Sequence, residues 1–298
     1  MFNKKLITMF FVLFLLGMLI SGTVFASDKV EDAVNNYFAN LPADNAMIGH
    51  DTFVEKVRAD EELFILDIRQ ADDYNESHIK GAINLPWGPD AIAENLDKLP
   101  GDETIFVYCY SAQTANQTVA LLNFAGFEAK SVKFGWNLGI SKLDGYEDIT
   151  ETTTNELGDA TPYKVDPEIE SAIKDYYKGL ADVNDTMFKN YIISEDMLNM
   201  MIDGEEDITI LSVRQASDYT EGHIPGAINI AWAEGMHEYF PQLPDGKIVV
   251  YCYTGQTAGQ VVAGLKILGY DAVSLNGGMG TPANKPYGWA NKGFEVVQ

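Results

Sequence analysis

Hydrophobic and polar positions alternate between two periods along most of the chain, and the order of those periods repeats. Val34, Tyr37, Phe38 and Leu41 fall on one face of a 3.6-residue repeat, and so do Ile173, Tyr176, Tyr177 and Leu180. Each set predicts an amphipathic helix. A second helix is expected near residues 52–58 and again near 194–201. Mostly apolar runs follow at 63–68 and 208–213, broken by Asp67 in the first and by Thr209 and Ser212 in the second, and they predict buried strands. Shorter strands are expected at 82–85 and 227–230. Residues 248–251, IVVY, predict another buried strand, and a helix follows whose apolar face carries Val261, Val262, Leu265 and Leu268, with Gly269 just past its end. Residues 104–124 repeat that strand, loop and helix, and last strands are expected at 131–134 and 272–275.

Strands alternating with helices imply a parallel sheet covered on both faces, an α/β fold. The chain does this twice. EDAVNNYFANL (31–41) matches ESAIKDYYKGL (170–180) at an offset of 139. LDIRQADDYNESHIKGAINLPW (66–87) matches LSVRQASDYTEGHIPGAINIAW (211–232) at 145, and VYCYSAQTA (107–115) matches VYCYTGQTA (250–258) at 143. A repeat this long means two copies of one domain rather than a solenoid. The expected boundaries are 27–150 for the first domain, a Thr-rich polar linker at 151–166, and 167–298 for the second.

Residues 1–26 stand apart. Lys4 and Lys5 precede an apolar stretch, and Val24-Phe25-Ala26 offers a small-residue cleavage site, which predicts a signal peptide and an exported protein. The alternative is an uncleaved N-terminal anchor, since the stretch from Leu6 to Ala26 is just long enough to span a bilayer. The formal net charge of −24 argues against nucleic acid and anionic lipid surfaces as partners.

Chemistry concentrates on the only two cysteines, Cys109 and Cys252, which occupy the same position in the two copies. Each ends a buried strand and opens a loop that leads into a helix, with Thr114 and Thr257 as expected helix caps. Loop N–H groups and the helix dipole favour negative charge there, so each thiol is expected to ionise more readily than a free cysteine. The loops themselves, Tyr110, Ser111, Ala112, Gln113 and Thr114 in one copy and Tyr253, Thr254, Gly255, Gln256 and Thr257 in the other, are the candidate anion cradle. A Cys109–Cys252 disulfide is the competing reading for an exported chain, although structural bridges seldom fall on repeat-equivalent loops. If the position of Gly255 needs a positive φ, Ala112 in the first copy is strained. No histidines or cysteines fall at metal-ligand spacing, and no cofactor is implied.

Assembled, these residues resemble the rhodanese (sulfurtransferase) superfamily in its tandem form. Three stretches carry the resemblance: Asp67-Ile68-Arg69 with Asp73-Tyr74; Gly222 to Ile230 with Ser77 to Pro86; and Cys252 to Ala258 with Cys109 to Ala115. The resemblance implies two domains, each a parallel five-stranded sheet flanked by helices on both faces. It also implies transfer of a sulfane sulfur through a cysteine persulfide, from a small sulfur-containing donor to a thiol or cyanide-type acceptor. The six-residue loop without arginine sets the chain apart from the related phosphatases. Neutral residues follow each cysteine where thiosulfate-using tandem members carry basic ones, so an organic persulfide, a polysulfide or a protein persulfide is at least as good a donor as thiosulfate, with mercaptopyruvate also among the small donors the resemblance implies. A non-catalytic persulfide carrier or partner-binding module is the alternative. Among supporting residues, Arg69 and Arg214 are expected to pair with Asp73 and Asp218. Asp67 is expected to be a satisfied buried carboxylate, with Ser212 in its place in the second copy, and His78 and His223 are expected to satisfy turn carbonyls.

Overall fold

A computed structural model describes residues 26–159 and 161–298. Except for Ala26, the expected signal peptide lies outside these residues. The first repeat comprises α1 (Asp28–Ala39), β1 (Met47–Ile48), α2 (His50–Arg58), β2 (Phe64–Asp67), α3 (Ala71–Glu76), β3 (His78–Ile79), β4 (Ile83–Asn84), β5 (Thr104–Tyr108), α4 (Gln113–Phe124), β6 (Glu128–Val132) and β7 (Thr150–Glu151). The second comprises α5 (Pro167–Val183), β8 (Ile192–Ile193), α6 (Glu195–Asp203), β9 (Ile208–Ser212), α7 (Ala216–Glu221), β10 (Ile228–Asn229), β11 (Lys247–Tyr251), α8 (Gln256–Ile267) and β12 (Asp271–Leu275).

Each repeat builds a parallel five-stranded sheet. The orders are β1-β6-β5-β2-β4 and β8-β12-β11-β9-β10, the same topology twice. β5 and β11 are central and buried from their second residue onward, which is why they lack polar alternation. Each cysteine follows the C-terminal end of its central strand, the edge where open parallel sheets place their ligands. The edge strands β1 and β8 are two residues long and leave no periodic signal in the sequence.

The described residues between 151 and 163 lie along the first domain. β7 pairs antiparallel with β3, Asn155 donates to the Ala82 carbonyl at 3.1 Å, Thr161 N–H donates to the Asp97 carbonyl, and Tyr163 donates to the Ala125 carbonyl at 2.7 Å. Asp166 then caps α5, accepting the Glu168 N–H.

The leading helices are exchanged between the copies. Tyr37 of α1 donates to Gln260 of α8 at 2.5 Å, and Phe38 meets Trp232 and Phe240 of the second domain edge-on. Reciprocally, Tyr176 of α5 donates to Gln117 of α4, and Tyr177 meets Thr118 at 3.0 Å and the edge of Trp87. α4 and α8 pack face to face, and Gln260 donates to Asn116 at 2.6 Å. Both helices are therefore buried almost all round, polar residues included, and one hydrophobic cluster runs through both domains.

These buried phenols carry a pH prediction. Burial holds the Tyr37, Tyr108, Tyr176 and Tyr177 hydroxyls well above the ordinary value of 10.0. Above that pH the unfolded chain loses phenolic protons that the native chain keeps, so stability falls as pH rises. Between neutrality and pH ~9 these phenols leave the urea midpoint level, and it is expected to drop steadily above ~10. A midpoint level through the alkaline range would contradict the burial of these hydroxyls.

Candidate functional site

The two cysteine loops share one backbone course. After Cys109 come Tyr110, Ser111 and Ala112, and α4 begins at Gln113; after Cys252 come Tyr253, Thr254 and Gly255, and α8 begins at Gln256. The residue before each helix is left-handed, Ala112 at φ 68° and Gly255 at φ 83°, so the second copy places a glycine where the turn needs one and the first does not. Thr114 and Thr257 consequently lie inside the helices and are not their caps. The tight turn starts each helix before the threonine is reached. Neither cap position contributes a side-chain bond, so the first helical N–H groups remain directed at the loop interior. In the first copy the sulfur takes up one of them, with Ala115 N–H donating to Cys109 Sγ at 3.4 Å. Both cysteines are free thiols and buried, at 2% exposure. They are not joined to each other.

The back of each loop is pinned by the segment after the next strand. The Cys109 carbonyl accepts from Trp136 N–H at 2.8 Å and the Tyr110 carbonyl from Asn137 N–H at 2.8 Å. Met279 and Gly280 do the same for Cys252 and Tyr253, at 2.8 and 2.9 Å. Gly135 and Gly278, both at φ 59°, allow this approach: a β-carbon on Gly278 would lie 2.8 Å from Gly255 N, and one on Gly135 would lie 2.8 Å from Ala112 N. Sequence reasoning passed over these glycines, although the 143-residue offset that relates Cys109 to Cys252 also relates Gly135 to Gly278.

The other candidate residues are distributed around the loops. Gln113 and Gln256 turn away into the domain interface. Gln113 donates to Ser274 Oγ at 2.7 Å and to the Leu275 carbonyl, and Gln256 accepts from Phe134 N–H at 3.2 Å. Ser111 and Thr254 line one small interdomain cavity of about 150 Å³, so the two loops back onto a common space. Tyr110 donates to Asp73 at 2.5 Å and Tyr253 donates to Asp218, and each hydroxyl also accepts a backbone N–H from Gln70 or Gln215. Burial first, and then the Asp73 bond, push the Tyr110 hydroxyl up to about 12.

These tyrosine–aspartate bonds correct the expected ion pairs. Arg69 pairs with Asp67, not Asp73, at 2.6 Å and with a second approach from Nε, and it also donates to the Ser77 carbonyl. Burial opposes the charge on Arg69, but the adjacent carboxylate more than offsets it. Among the described residues Arg214 meets no carboxylate: it donates to the Asp218 and Gly222 carbonyls, and its buried Nε has no partner there. The reason is Ser212, too short and uncharged to replace Asp67. His78 and His223 stack on Tyr74 and Tyr219. Each presents Nδ1 to the carbonyl four residues earlier, Tyr74 in α3 and Tyr219 in α7, helical carbonyls rather than the expected turn ones, and His78 Nε2 faces the Thr153 carbonyl at 3.0 Å. Among the described residues no cluster suits a metal ion, and no helix is long and apolar enough to cross a membrane.

The family comparison agrees with this architecture. The family model described as Rhodanese-like domain matches residues 50–140 and 194–281. Thiosulfate sulfurtransferase GlpE of Coxiella burnetii is 36% identical over 91 residues, covering 30% of this chain and 84% of that protein. Putative sulfur carrier protein YrkF of Bacillus subtilis is 28% identical over 81 residues, 27% of this chain, and the chain spans only 43% of its length. A crystal structure of a rhodanese-related protein from Thermoplasma volcanium is 28% identical, covers 35% of this chain and 95% of that one, and superposes with a TM-score of 0.30. Two family matches, one in each repeat and each spanning a cysteine loop, place the chain in the rhodanese-like domain family in tandem form.

Proposed function

We propose that the chain is an exported sulfurtransferase that carries sulfane sulfur as a cysteine persulfide. The observation that supports this best is the position of each sulfur: at the end of the central strand, inside a loop whose N–H groups lead into a helix N-terminus. A thiolate there attacks the outer sulfur of a donor, the new S–S bond forms, and the donor's bond to that sulfur breaks with its electrons leaving on the donor remnant. The resulting Cys–S–S⁻ sits where the loop N–H groups and helix dipole favour an anion without a metal. An acceptor thiolate then takes the outer sulfur and returns the cysteine thiolate.

The test is intact mass after incubation with thiosulfate, 3-mercaptopyruvate and polysulfide in turn, before and after cyanide. One added sulfur per active cysteine, removed by cyanide and absent in a double Cys109→Ser/Cys252→Ser variant, is the expected result. Sulfur uptake that persists in the double variant would overturn the proposal. The second reading is a persulfide carrier. It is favoured by the neutral residues after each cysteine and by the aspartates behind Tyr110 and Tyr253, which make the loops weak attractors of a dianion. A carrier loads sulfur once and stops, whereas an enzyme turns over with excess donor and acceptor.

A further inference from the structure

Away from both cysteine loops, one amine faces a cavity without a carboxylate of its own. Lys266 is the penultimate residue of α8, half-buried, with Nζ 4.1 Å from the centroid of the Tyr191 ring. It opens on a cavity of about 620 Å³ between the start of α1, α5 and the end of α8, which Tyr191, Glu168 and Asp175 also line. Among the described residues no carboxylate forms an ion pair with Lys266. The carboxylates around it are engaged elsewhere: Asp271 holds Lys247 at 2.6 Å, Glu168 lies 3.8 Å from Lys29, and Asp175 lies 3.8 Å from Lys178.

The first copy builds the same corner from other side chains. At the 143-residue offset of the cysteine helices, Asn123 stands where the second copy has Lys266, and it donates to the Val119 carbonyl at 2.7 Å and the Ala129 carbonyl at 3.0 Å. Ala46 stands where the second copy has Tyr191. Each follows an asparagine that accepts from a tryptophan Nε1, Asn45 from Trp232 at 2.8 Å and Asn190 from Trp87 at 3.1 Å. The fold therefore closes this corner without an amine or an aromatic ring, and the lysine–tyrosine contact is particular to the second copy.

Burial, the largest influence on Lys266, draws its amine below the ordinary lysine value of 10.5; Asp271 opposes that and Lys247 adds to it. The face of Tyr191 favours the ammonium and competes with burial. Asp182 of α5 acts on the Tyr191 hydroxyl, and Glu168, Asp175 and Tyr176 are the other ionisable groups of α5 that line the cavity. The carboxylates of Glu168 and Asp175 are exposed and place negative charge at the rim, which disfavours anions. We infer that Lys266 is a covalent acceptor site for a small, uncharged aldehyde or ketone. The neutral amine attacks the carbonyl carbon, a C–N bond forms, and the carbonyl oxygen gains a proton as the nitrogen loses one. Loss of water then leaves an imine, with no oxidant or reductant consumed. The site is separate from the cysteines and stands whether or not they carry sulfur.

Trace labelling of the unmodified chain tests this. Formaldehyde is the probe, and cyanoborohydride reduces each imine to a stable methylamine that peptide mass spectrometry reads lysine by lysine. Lys285 is the reference, since it is exposed and, among the described residues, has no ion pair. Near neutral pH, Lys266 is expected to label roughly threefold or more faster than Lys285, because a lower pKa raises the fraction of neutral amine. That advantage should shrink as the pH approaches the ordinary lysine range and vanish when the chain is unfolded in urea. Glyoxylate, an aldehyde that carries a carboxylate, should show a smaller preference for Lys266, and Asp175→Asn should restore part of it. Labelling of Lys266 no faster than Lys285, the result a purely structural contact with Tyr191 predicts, would overturn the inference. So would an advantage that survives urea, or one equally large with glyoxylate.

Discussion

Gly278→Ala is expected to unseat the Cys252 loop and to cost the protein about 2–4 kcal/mol, combining left-handed strain with overpacking. Gly278 has φ 59°, and its added carbon would lie 2.5 Å from the Cys252 carbonyl oxygen and 2.8 Å from Gly255 N. Both neighbours are backbone, so neither can move without moving the loop. The expected signature is selective: Cys252 loses persulfide loading and changes its alkylation rate, while Cys109 keeps both. Gly135→Ala should produce the mirror result, with Cys109 silenced and Cys252 intact. Ala112→Gly is the opposite change, since it relaxes a left-handed alanine and should raise stability by about 1 kcal/mol. Gly255→Ala is not its simple reverse, because the new carbon would also meet the Gln113 side chain at 2.8 Å. Urea denaturation with peptide-level labelling reads all four variants. A Gly278→Ala protein within about 0.5 kcal/mol of the original, with unaltered Cys252 chemistry, would refute the pinned-loop account.

What the sequence made legible follows from where the physics is local. Buried strands such as β5 and β11 announce themselves as unbroken apolar runs, and α1 and α5 as stripes, because burial acts on each element separately. The duplication adds a second reading of every motif, so the cysteine loops and the positive φ at position 112 could be anticipated. Other features depend on contacts between distant parts. The edge strands β1 and β8 are specified by their partners β6 and β12, not by two residues of their own. The exchange of α1 and α5 between domains cannot be read from either stripe, since an apolar face does not record which core it enters. The arginine partners were misjudged because i+4 spacing presumes a helix through the pair. Arg69 precedes α3, and its side chain turns back to Asp67.

The same correction leads to the second large effect. Asp67→Ser should cost about 3–5 kcal/mol, the usual penalty for removing one partner of a buried ion pair. Asp67 is fully buried, accepts Arg69 N–H at 2.9 Å and meets the guanidinium through Nε and Nη2; the Ser77 carbonyl and the Trp136 ring also touch that guanidinium, but among the described residues Asp67 is its paired carboxylate. The second copy already lives with the substituted arrangement. Arg214 keeps two backbone carbonyls, lacks a carboxylate, and leaves Nε buried without a partner. An unsatisfied buried donor costs about 1–3 kcal/mol, so Ser212→Asp is expected to recover an amount in that range rather than to destabilise. The two substitutions exchange the same pair of side chains in opposite directions within one molecule, so chemical denaturation should move its midpoint down for the first and up for the second. If Ser212→Asp lowers the midpoint, packing around Arg214 has closed on the serine hydroxyl and the vacancy at Nε is not large enough for a carboxylate. If Asp67→Ser is neutral, the Asp67–Arg69 pair contributes orientation to the Cys109 half without contributing stability.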